Sequence, residues 1–316
     1  MGNETGGMKT RTAVPLLASC VTLAFVVAGC GGGDSGEATI TADGSSTVGP
    51  FTTRAAEDFR VDNPDVQITV GISGTGGGFD RFCVGETDIS NASRAIDDDE
   101  KAICDENGVE YVELQVATDA LTNVVNSEND WATCLTVEQL NAIWKPGSKV
   151  SNWNQVDPSF PDVALKLYGA GTDSGTFDYF TGAINGDEGA SRSDFSATED
   201  DNVTVQGVSG DRGALGYFGF SYYEENQDKL KALEVDGGGG CVAPSVATAQ
   251  DGSYTPLSRP LFMYVKTSSL ADDASLEDFV RYTLENEQTI AEQARFVPLS
   301  QDEIDEQLQK LEDATA

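Results

Sequence analysis

The stretch TITADGSSTV at residues 39–48 decides the fold class, because it joins a strand pattern directly to a helix start. Its first residues are β-branched or small, and a Gly/Ser turn follows them. After the turn, apolar residues recur at helical spacing: Phe51, Ala55 and Phe59. The helix ends before Asn63-Pro64, and a second β-branched run occupies residues 66–70. Strands that alternate with helices predict an α/β fold with a largely parallel sheet.

The rest of the chain predicts a second region of the same kind. The 316 residues, 39% of them hydrophobic, suffice for two cores. We expect one lobe, lobe I, to comprise residues 38–120 and 258–316. Residues 121–257 form lobe II, which is inserted in lobe I through two crossover strands. Two lobes joined in this way close on a ligand by a hinge motion.

Three segments share one local design, in which a strand end leads through a Gly/Ser/Thr turn into a helix start: residues 43–48, 73–78 and 171–176. The first amides of a helix have no intrahelical acceptor and carry positive partial charge, so they attract anions. A single Ser or Thr before a helix is usually only an N-cap. Three such turns at the carboxyl ends of the strands predict one anion site between the lobes.

The charge and the composition exclude several functions. The chain has 19 Lys and Arg against 53 Asp and Glu, a net charge of −34, so nucleic acid and anionic membrane surfaces are poor partners. It contains no histidine. A Ser-His-Asp triad, a Cys-His dyad and a zinc site with histidine are therefore excluded. We predict a protein that is not an enzyme and that needs no cofactor or metal.

The N-terminus has the pattern of an export signal. Lys9 and Arg11 precede an apolar run at residues 13–28, and Cys30 and the flexible run GGGDSG follow. This order resembles the lipobox of bacterial lipoproteins. It predicts a signal peptide at residues 1–29, starting at Met1 or at Met8, a lipid on Cys30, and a tether at residues 30–37. The protein would lie on the extracytoplasmic face of the cell membrane. An ordinary secretory signal with an incidental cysteine is the alternative.

Four cysteines remain in the body of the chain: Cys83, Cys104, Cys134 and Cys241. An even number in an exported chain indicates two disulfide bonds. Of the three possible pairings we favour Cys83–Cys104 with Cys134–Cys241, because the first bond closes a short local loop.

Five segments together resemble the phosphate-binding component of the high-affinity phosphate ABC transporter: residues 43–47, 73–78, 88–94, 169–177 and 213–219. The resemblance runs in order from about residue 38 to about residue 300. It implies the type II periplasmic-binding-protein fold with the cleft between two α/β lobes. It also implies inorganic phosphate as the ligand, permease and ATPase subunits as partners, and a monomer that binds no nucleic acid.

The resemblance also implies roles for single residues. Thr47 and Val48 would offer amides, the Thr47 and Thr75 hydroxyls would donate, and residues 174–176 would supply the helix start of lobe II. The predicted phosphate-binding residues are Ser46, Thr47, Val48, Thr75, Arg94, Asp173, Ser174, Gly175 and Thr176.

Two positions depart from the pattern of the family. Arg94 stands where the family has an aspartate that accepts the phosphate proton, and Ala170 stands where it has an arginine. We expect Arg94 to bind phosphate in bidentate fashion. Asp173 is then the first choice of proton acceptor and Asp43 the second. A buried carboxylate would repel sulfate, which has no proton to donate. The alternatives are a surface-loop role for Arg94 and a plain N-cap role for Asp173.

Rival hypotheses follow from the same residues. The ligand could be another tetrahedral oxyanion, such as sulfate, molybdate or arsenate. A secreted phosphoesterase with Ser46 or Ser174 as its nucleophile would need a base or metal cluster nearby. A surface sensor or adhesin could use the same fold.

Overall fold

The structure, a computed structural model, describes residues 38–172, 174–198 and 200–316. The predicted signal peptide, Cys30, the tether and Asp173 lie outside these residues. The strands are β1 (Ala38–Gly44), β2 (Val66–Val70), β3 (Ile89–Ala92), β4 (Tyr111–Asn126), β5 (Cys134–Thr136), β6 (Lys166–Ala170), β7 (Ser196–Thr198), β8 (Ala214–Gly219), β9 (Leu230–Ala232), β10 (Glu234–Asp236), β11 (Cys241–Val242) and β12 (Ser258–Lys266).

The helices lie between these strands and after the last of them, as the alternating sequence pattern predicts. They are α1 (Gly49–Asp62), α2 (Gly74–Phe82), α3 (Asp98–Asn107), α4 (Val137–Trp144), α5 (Gly175–Asn185), α6 (Asp201–Ser209), α7 (Phe220–Glu225), α8 (Val246–Gln250), α9 (Thr267–Asp272), α10 (Ala274–Glu285), α11 (Glu287–Gln293) and α12 (Gln301–Thr315). Among the described residues, no helix is both long enough and apolar enough to span a membrane.

The main sheet has the order β2-β1-β3-β12-β4-β8-β6-β7, and β9 also pairs with β4. Strand β1 is parallel to β2 and β3, and β6 is parallel to β7 and β8. The crossover strand β12, however, runs antiparallel to both β3 and β4, and β4 runs antiparallel to β8. The sheet is therefore mixed, which corrects the expectation of a largely parallel sheet. Parallel pairing is confined to the two ends.

The long strand β4 connects the two halves of the molecule. Its first part, up to Ala120, pairs with β12, and from Leu121 onward it pairs with β8. This change of partner marks the boundary between the half of the sheet that contains β1, β2 and β3 and the half that contains β6, β7 and β8. The two crossover strands lie side by side at this boundary, since Ser258 is opposite Ala120.

Each half has its own hydrophobic core. In lobe I, the buried stripe of α1 packs with β12 and α10, and Phe59 contacts the Phe279 ring edge-on at 5.5 Å. In lobe II, Trp144, Phe180 and Tyr217 form the centre of the core, and the last two rings are stacked at 3.7 Å. The helical spacing of Phe51, Ala55 and Phe59 is confirmed, because all three side chains are buried.

Both disulfide bonds favoured from the sequence are present. Cys83–Cys104 links the end of α2 to α3 within lobe I. Cys134–Cys241 links β5 to β11 in a separate three-stranded sheet, across 107 residues of sequence. Crosslinks over such distances stabilise a fold mainly by restricting the unfolded chain.

Candidate anion-binding site

A polar cavity of about 280 Å³ lies between the two lobes. Lobe I contributes the turn before α1, the start of α2 and the end of β3: Ser45, Ser46, Thr47, Ser73, Gly74, Thr75, Gly76, Gly77, Ser93 and Arg94. The opposite wall comes from lobe II and from β12: Gly175, Asp178, Glu188 and Arg259. The three turns predicted from the sequence thus meet around one cavity.

The first turn depends on a glycine and a buried hydroxyl. Gly44 has a φ of +135°, and a Cβ atom there would lie 2.1 Å from the Asn91 carbonyl oxygen, so only glycine fits. The Ser45 hydroxyl accepts hydrogen bonds from the amides of Thr47 (3.2 Å) and Val48 (3.4 Å). These are the two amides that the sequence analysis assigned to phosphate. Val48 itself is fully buried at the start of α1.

The second turn brings α2 against β1 and β3. A Cβ atom on Gly78 would lie 2.5 Å from the Gly44 Cα atom, so the helix approaches the strand as closely as two glycines allow. The Thr75 and Ser93 hydroxyls are 3.1 Å apart, and the Ser93 amide donates to the Thr75 hydroxyl oxygen at 3.2 Å. Thr75 thus lines the cavity with its hydroxyl beside Ser93, and its role as a phosphate donor stays a prediction.

Asp43 ties the first two turns together. Its Oδ1 atom accepts from the amides of Gly44 (2.7 Å) and Ser73 (3.1 Å), and its Oδ2 atom pairs with Arg81. Burial alone would raise the pKa of Asp43, but the bonds from these three residues outweigh burial and lower it. Asp43 is not among the described residues that line the cavity. Its carboxylate therefore holds the first two turns together without lining the cavity.

The third turn faces the first across the cleft. The Ser174 hydroxyl caps α5 by accepting from the Thr176 amide at 3.2 Å. A Cβ atom on Gly175 would lie 2.7 Å from the Thr47 Oγ1 atom and 3.4 Å from the Ser46 Oγ atom, so the lobes are in contact here. Ser174 and Thr176 lie with Ser46 and Thr47 around an adjoining pocket.

Arg94 lines the cavity at its exposed edge. Its Nη1 and Nη2 atoms each donate to a different Glu100 carboxylate oxygen at 2.8 Å, and 45% of its side chain is exposed. Glu100 also completes the capping box of α3 with Asp97. In this structure, Glu100 thus occupies the bidentate position that the sequence analysis gave to phosphate.

Arg259 is the residue that the sequence analysis missed. Its Nη2 atom donates to the Thr47 Oγ1 atom at 3.0 Å, and its Nε atom donates to the Asp119 Oδ2 atom at 3.3 Å. Its guanidinium carbon lies 3.8 Å from the ring centroid of Tyr179. Arg259 lies outside all the segments that carried the family resemblance. The sequence could have pointed to Arg259 in one way, since it is an arginine beside Pro260 at the start of a strand in a chain with few cations.

Two acidic side chains complete the wall on the side of lobe II. Asp178 lies in the first turn of α5, and Glu188 lies in the loop that follows this helix. Burial raises the pKa of Asp178, and the positive charge of Arg259 acts in the opposite direction. The cavity therefore offers acceptors for hydrogen bonds as well as donors.

Among the described residues, Cys134, Glu234 and Cys241 form one group of three possible metal ligands, and its two cysteines form a disulfide bond. The hydroxyls, helix starts and arginines around the cavity are suited to holding a small oxyanion between two lobes. The fold and this cleft define a two-lobed solute-binding protein.

Comparison with known proteins agrees with this class. Residues 31–287 match the PBP superfamily domain. Protein SphX from Synechocystis sp. is 49% identical over 83% of this chain and 79% of its own length. The phosphate-binding protein PstS from Staphylococcus saprophyticus is 41% identical over 93% of this chain and 92% of its own length.

Among solved structures, a possible phosphate binding protein from Planctomyces limnophilus shares 45% identity and a TM-score of 0.85, over 89% of this chain and 99% of that one. The chain therefore belongs to the PBP superfamily, in the family of the PstS phosphate-binding proteins. This family consists of solute-binding proteins of phosphate transport rather than enzymes. The resemblance and the fold class stated from the sequence are both confirmed.

Proposed function

We propose that this protein captures inorganic phosphate outside the cytoplasmic membrane and delivers it to an ABC permease for import. The observation that carries this proposal is the polar cavity closed by helix starts from both lobes. A small oxyanion there would be reached by donors from both sides, so binding would favour the closed arrangement of the lobes.

The hydroxyl of Thr47 has a defined role in this proposal. Its oxygen already accepts a hydrogen bond from Arg259, so its own hydrogen is available for a second acceptor. The start of α2 and the start of α5 approach the same cavity and add partial positive charge. These short-range contacts explain how a chain of net charge −34 can bind an anion, because distant charges are screened within about 10 Å.

Selectivity against sulfate needs a carboxylate that accepts the phosphate proton. Asp43 is held by Gly44, Ser73 and Arg81, so we retain Asp173 from the sequence analysis and add Asp178. Asp178 lies on the cavity wall, and burial raises its pKa. An oxyanion without a proton would be repelled by the negative charge of the acceptor carboxylate.

We also propose that Cys30 carries the lipid that anchors the protein and that the chain acts as a monomer beside its permease and ATPase subunits. The small residues before Cys30 and the glycine-rich run after it support the anchor. Replacing Cys30 with alanine should release the protein into the soluble extracytoplasmic fraction, which immunoblotting of fractionated cells measures. A variant that stays in the membrane fraction would contradict the lipid anchor.

Calorimetric titration of the purified protein with phosphate, arsenate and sulfate tests the ligand. We expect phosphate to bind, arsenate to compete because it carries a proton at neutral pH, and sulfate to be rejected. Equal affinity for phosphate and sulfate would contradict the role of a carboxylate acceptor. Binding of sulfate or molybdate without phosphate would contradict the proposed function itself.

A further inference from the structure

Arg259 occupies the point where the two crossover strands meet the cleft. It is the second residue of β12 and lies directly opposite Asp119 in the neighbouring strand β4. One residue later in β4, at Ala120, the pairing with β12 ends. The guanidinium therefore extends from the hinge region itself rather than from either lobe's turns.

This arginine contacts both walls of the cleft at once. Its Nη2 atom donates to Thr47 of lobe I at 3.0 Å, and its guanidinium lies over the ring of Tyr179 in α5 of lobe II, 3.8 Å from the centroid. Tyr179 is held in turn by a 2.9 Å hydrogen bond from its hydroxyl to the Pro256 carbonyl oxygen. A stacked guanidinium is restricted in orientation, which favours directed hydrogen bonds.

The ion pair with Asp119 is unusually well buried for this acidic chain. The side chains of Arg259 and Asp119 are only 15% and 9% exposed. Burial raises the pKa of Asp119, and the charge and hydrogen bond of Arg259 counteract this rise. Buried ion pairs add little to stability in general, so stability does not account for this pair.

Arg259 also retains the capacity to bind a ligand. A guanidinium has five N–H donors, and the hydrogen bonds to Thr47 and Asp119 use two of them. Arg94, by contrast, directs both terminal nitrogens at Glu100 and is 45% exposed. Of these two cavity arginines, Arg259 is the more buried and has the fewer competing acceptors.

We propose that Arg259 is the principal cation that binds the phosphate, and that Asp119 and Tyr179 are positioning residues that hold its guanidinium at the hinge. This inference rests on the proposed function. The phosphate is then bound where both lobes and both crossover strands meet. The Arg259 side chain therefore takes part both in ligand binding and in closure of the cleft.

The test is phosphate affinity, measured by calorimetry on the whole protein, for the parent, Arg259→Gln, Arg259→Lys and Asp119→Asn. Loss of a charged hydrogen-bonding partner in a buried site should weaken binding about 30-fold or more in Arg259→Gln. Arg259→Lys should recover part of the loss, because it restores the charge without the planar geometry. Asp119→Asn should weaken binding about 10-fold, since the guanidinium loses its orientation.

A matched control is available in lobe II. Arg212 also pairs with an aspartate, Asp130, and also lies over an aromatic ring, that of Trp131 at 4.9 Å. It does not line the cleft. Arg212→Gln should therefore bind phosphate with the affinity of the parent.

The outcomes separate the two proposals. If the parent binds phosphate and Arg259→Gln binds it equally well, this inference is wrong and the proposed function stands. If the parent does not bind phosphate, both are wrong. Should Arg259→Gln fail to fold, a crystal structure of the parent with phosphate decides. A guanidinium nitrogen within about 3.2 Å of a phosphate oxygen supports the inference, and its absence overturns it.

Discussion

Two of the buried carboxylates in this molecule, Asp119 in β4 beside the cleft and Glu287 at the start of α11, have opposite surroundings. Asp119 faces the guanidinium of Arg259. Glu287, at the start of α11, accepts one hydrogen bond from the Leu299 amide at 3.1 Å, and its Oε2 atom has no partner among the described residues. Burial raises the pKa of both, that of Glu287 to about 8.

The difference between the two regions lies in what the buried charge can do. In the cleft, a buried cation and anion hold each other in place beside a ligand site. Around Glu287, burial first, and then the charges of Glu303 and Glu292, raise the pKa and favour the protonated carboxyl group near neutral pH. We propose that the first region serves ligand recognition, and we expect the second to make the free energy of unfolding depend on pH. Four substitutions test this contrast between the cleft and Glu287.

The largest expected effect is on the free energy of unfolding, through Glu287. The pKa of its carboxyl group is about 8 in the folded state and about 4.5 in the unfolded state, so the folded state binds more protons between these pH values. Glu287 therefore lowers the free energy of unfolding as the pH rises through this window, by up to about 5 kcal/mol. Glu287→Gln should remove this dependence, with phosphate affinity unchanged.

Urea unfolding of the parent and of Glu287→Gln at several pH values measures the difference. Glu285→Gln, at an exposed position two residues earlier, is the control and should follow the parent. If the free energy of unfolding changed with pH in the same way in the parent and in Glu287→Gln, Glu287 would not be the cause of the pH dependence.

The next effect concerns the contact of the lobes in the cleft. A valine at Gly175 would force a Cβ atom to 2.7 Å from the Thr47 Oγ1 atom and oppose closure. Overpacking of this kind costs about 1–3 kcal/mol, so Gly175→Val should weaken phosphate binding about 5-fold to 150-fold. Gly239→Val is the control, because a Cβ atom there meets nothing within 4 Å and the residue lines neither pocket of the cleft. Calorimetry showing parent-like affinity for Gly175→Val would mean that closure is not required.

A smaller effect is expected on selectivity. Asp178→Asn should remove a carboxylate that repels sulfate and narrow the preference for phosphate over sulfate about tenfold. Competition binding measures this ratio, and the exposed Asp187→Asn is its control. An unchanged ratio in Asp178→Asn together with a narrowed ratio in Asp173→Asn would assign the acceptor role to Asp173.

The smallest effect belongs to the exposed edge of the cleft. Arg94→Gln should weaken phosphate binding only about threefold, because Glu100 already neutralises this arginine and solvent screens it. The difference in phosphate affinity between Arg94→Gln and the parent should be still smaller at about 1 M salt. Arg54→Gln, which breaks a similarly exposed pair with Asp58, serves as the control. A loss as large as that in Arg259→Gln would restore Arg94 as the main cation.

The pairing of Arg94 illustrates a signal that was present in the sequence. Asp97 and Glu100 have the spacing of a capping box, which places the Glu100 carboxylate beside the start of α3 and within reach of Arg94. The partners of Arg259 gave no such signal. Thr47 and Asp119 are 212 and 140 residues away in sequence, so only the folded chain brings them together.

Features that depend on neighbouring residues could be predicted from the sequence alone. They include the three turns, the helical stripe of α1, the short-range disulfide bond Cys83–Cys104 and the family, because turns, caps and motifs are set by residues close together in the chain. Three features became visible only in the folded chain: the antiparallel pairing of the crossover strands, the different partners of Arg94 and Arg259, and the burial of Glu287. These depend on which distant strands pair and which side chains lose water, and neither follows from local spacing.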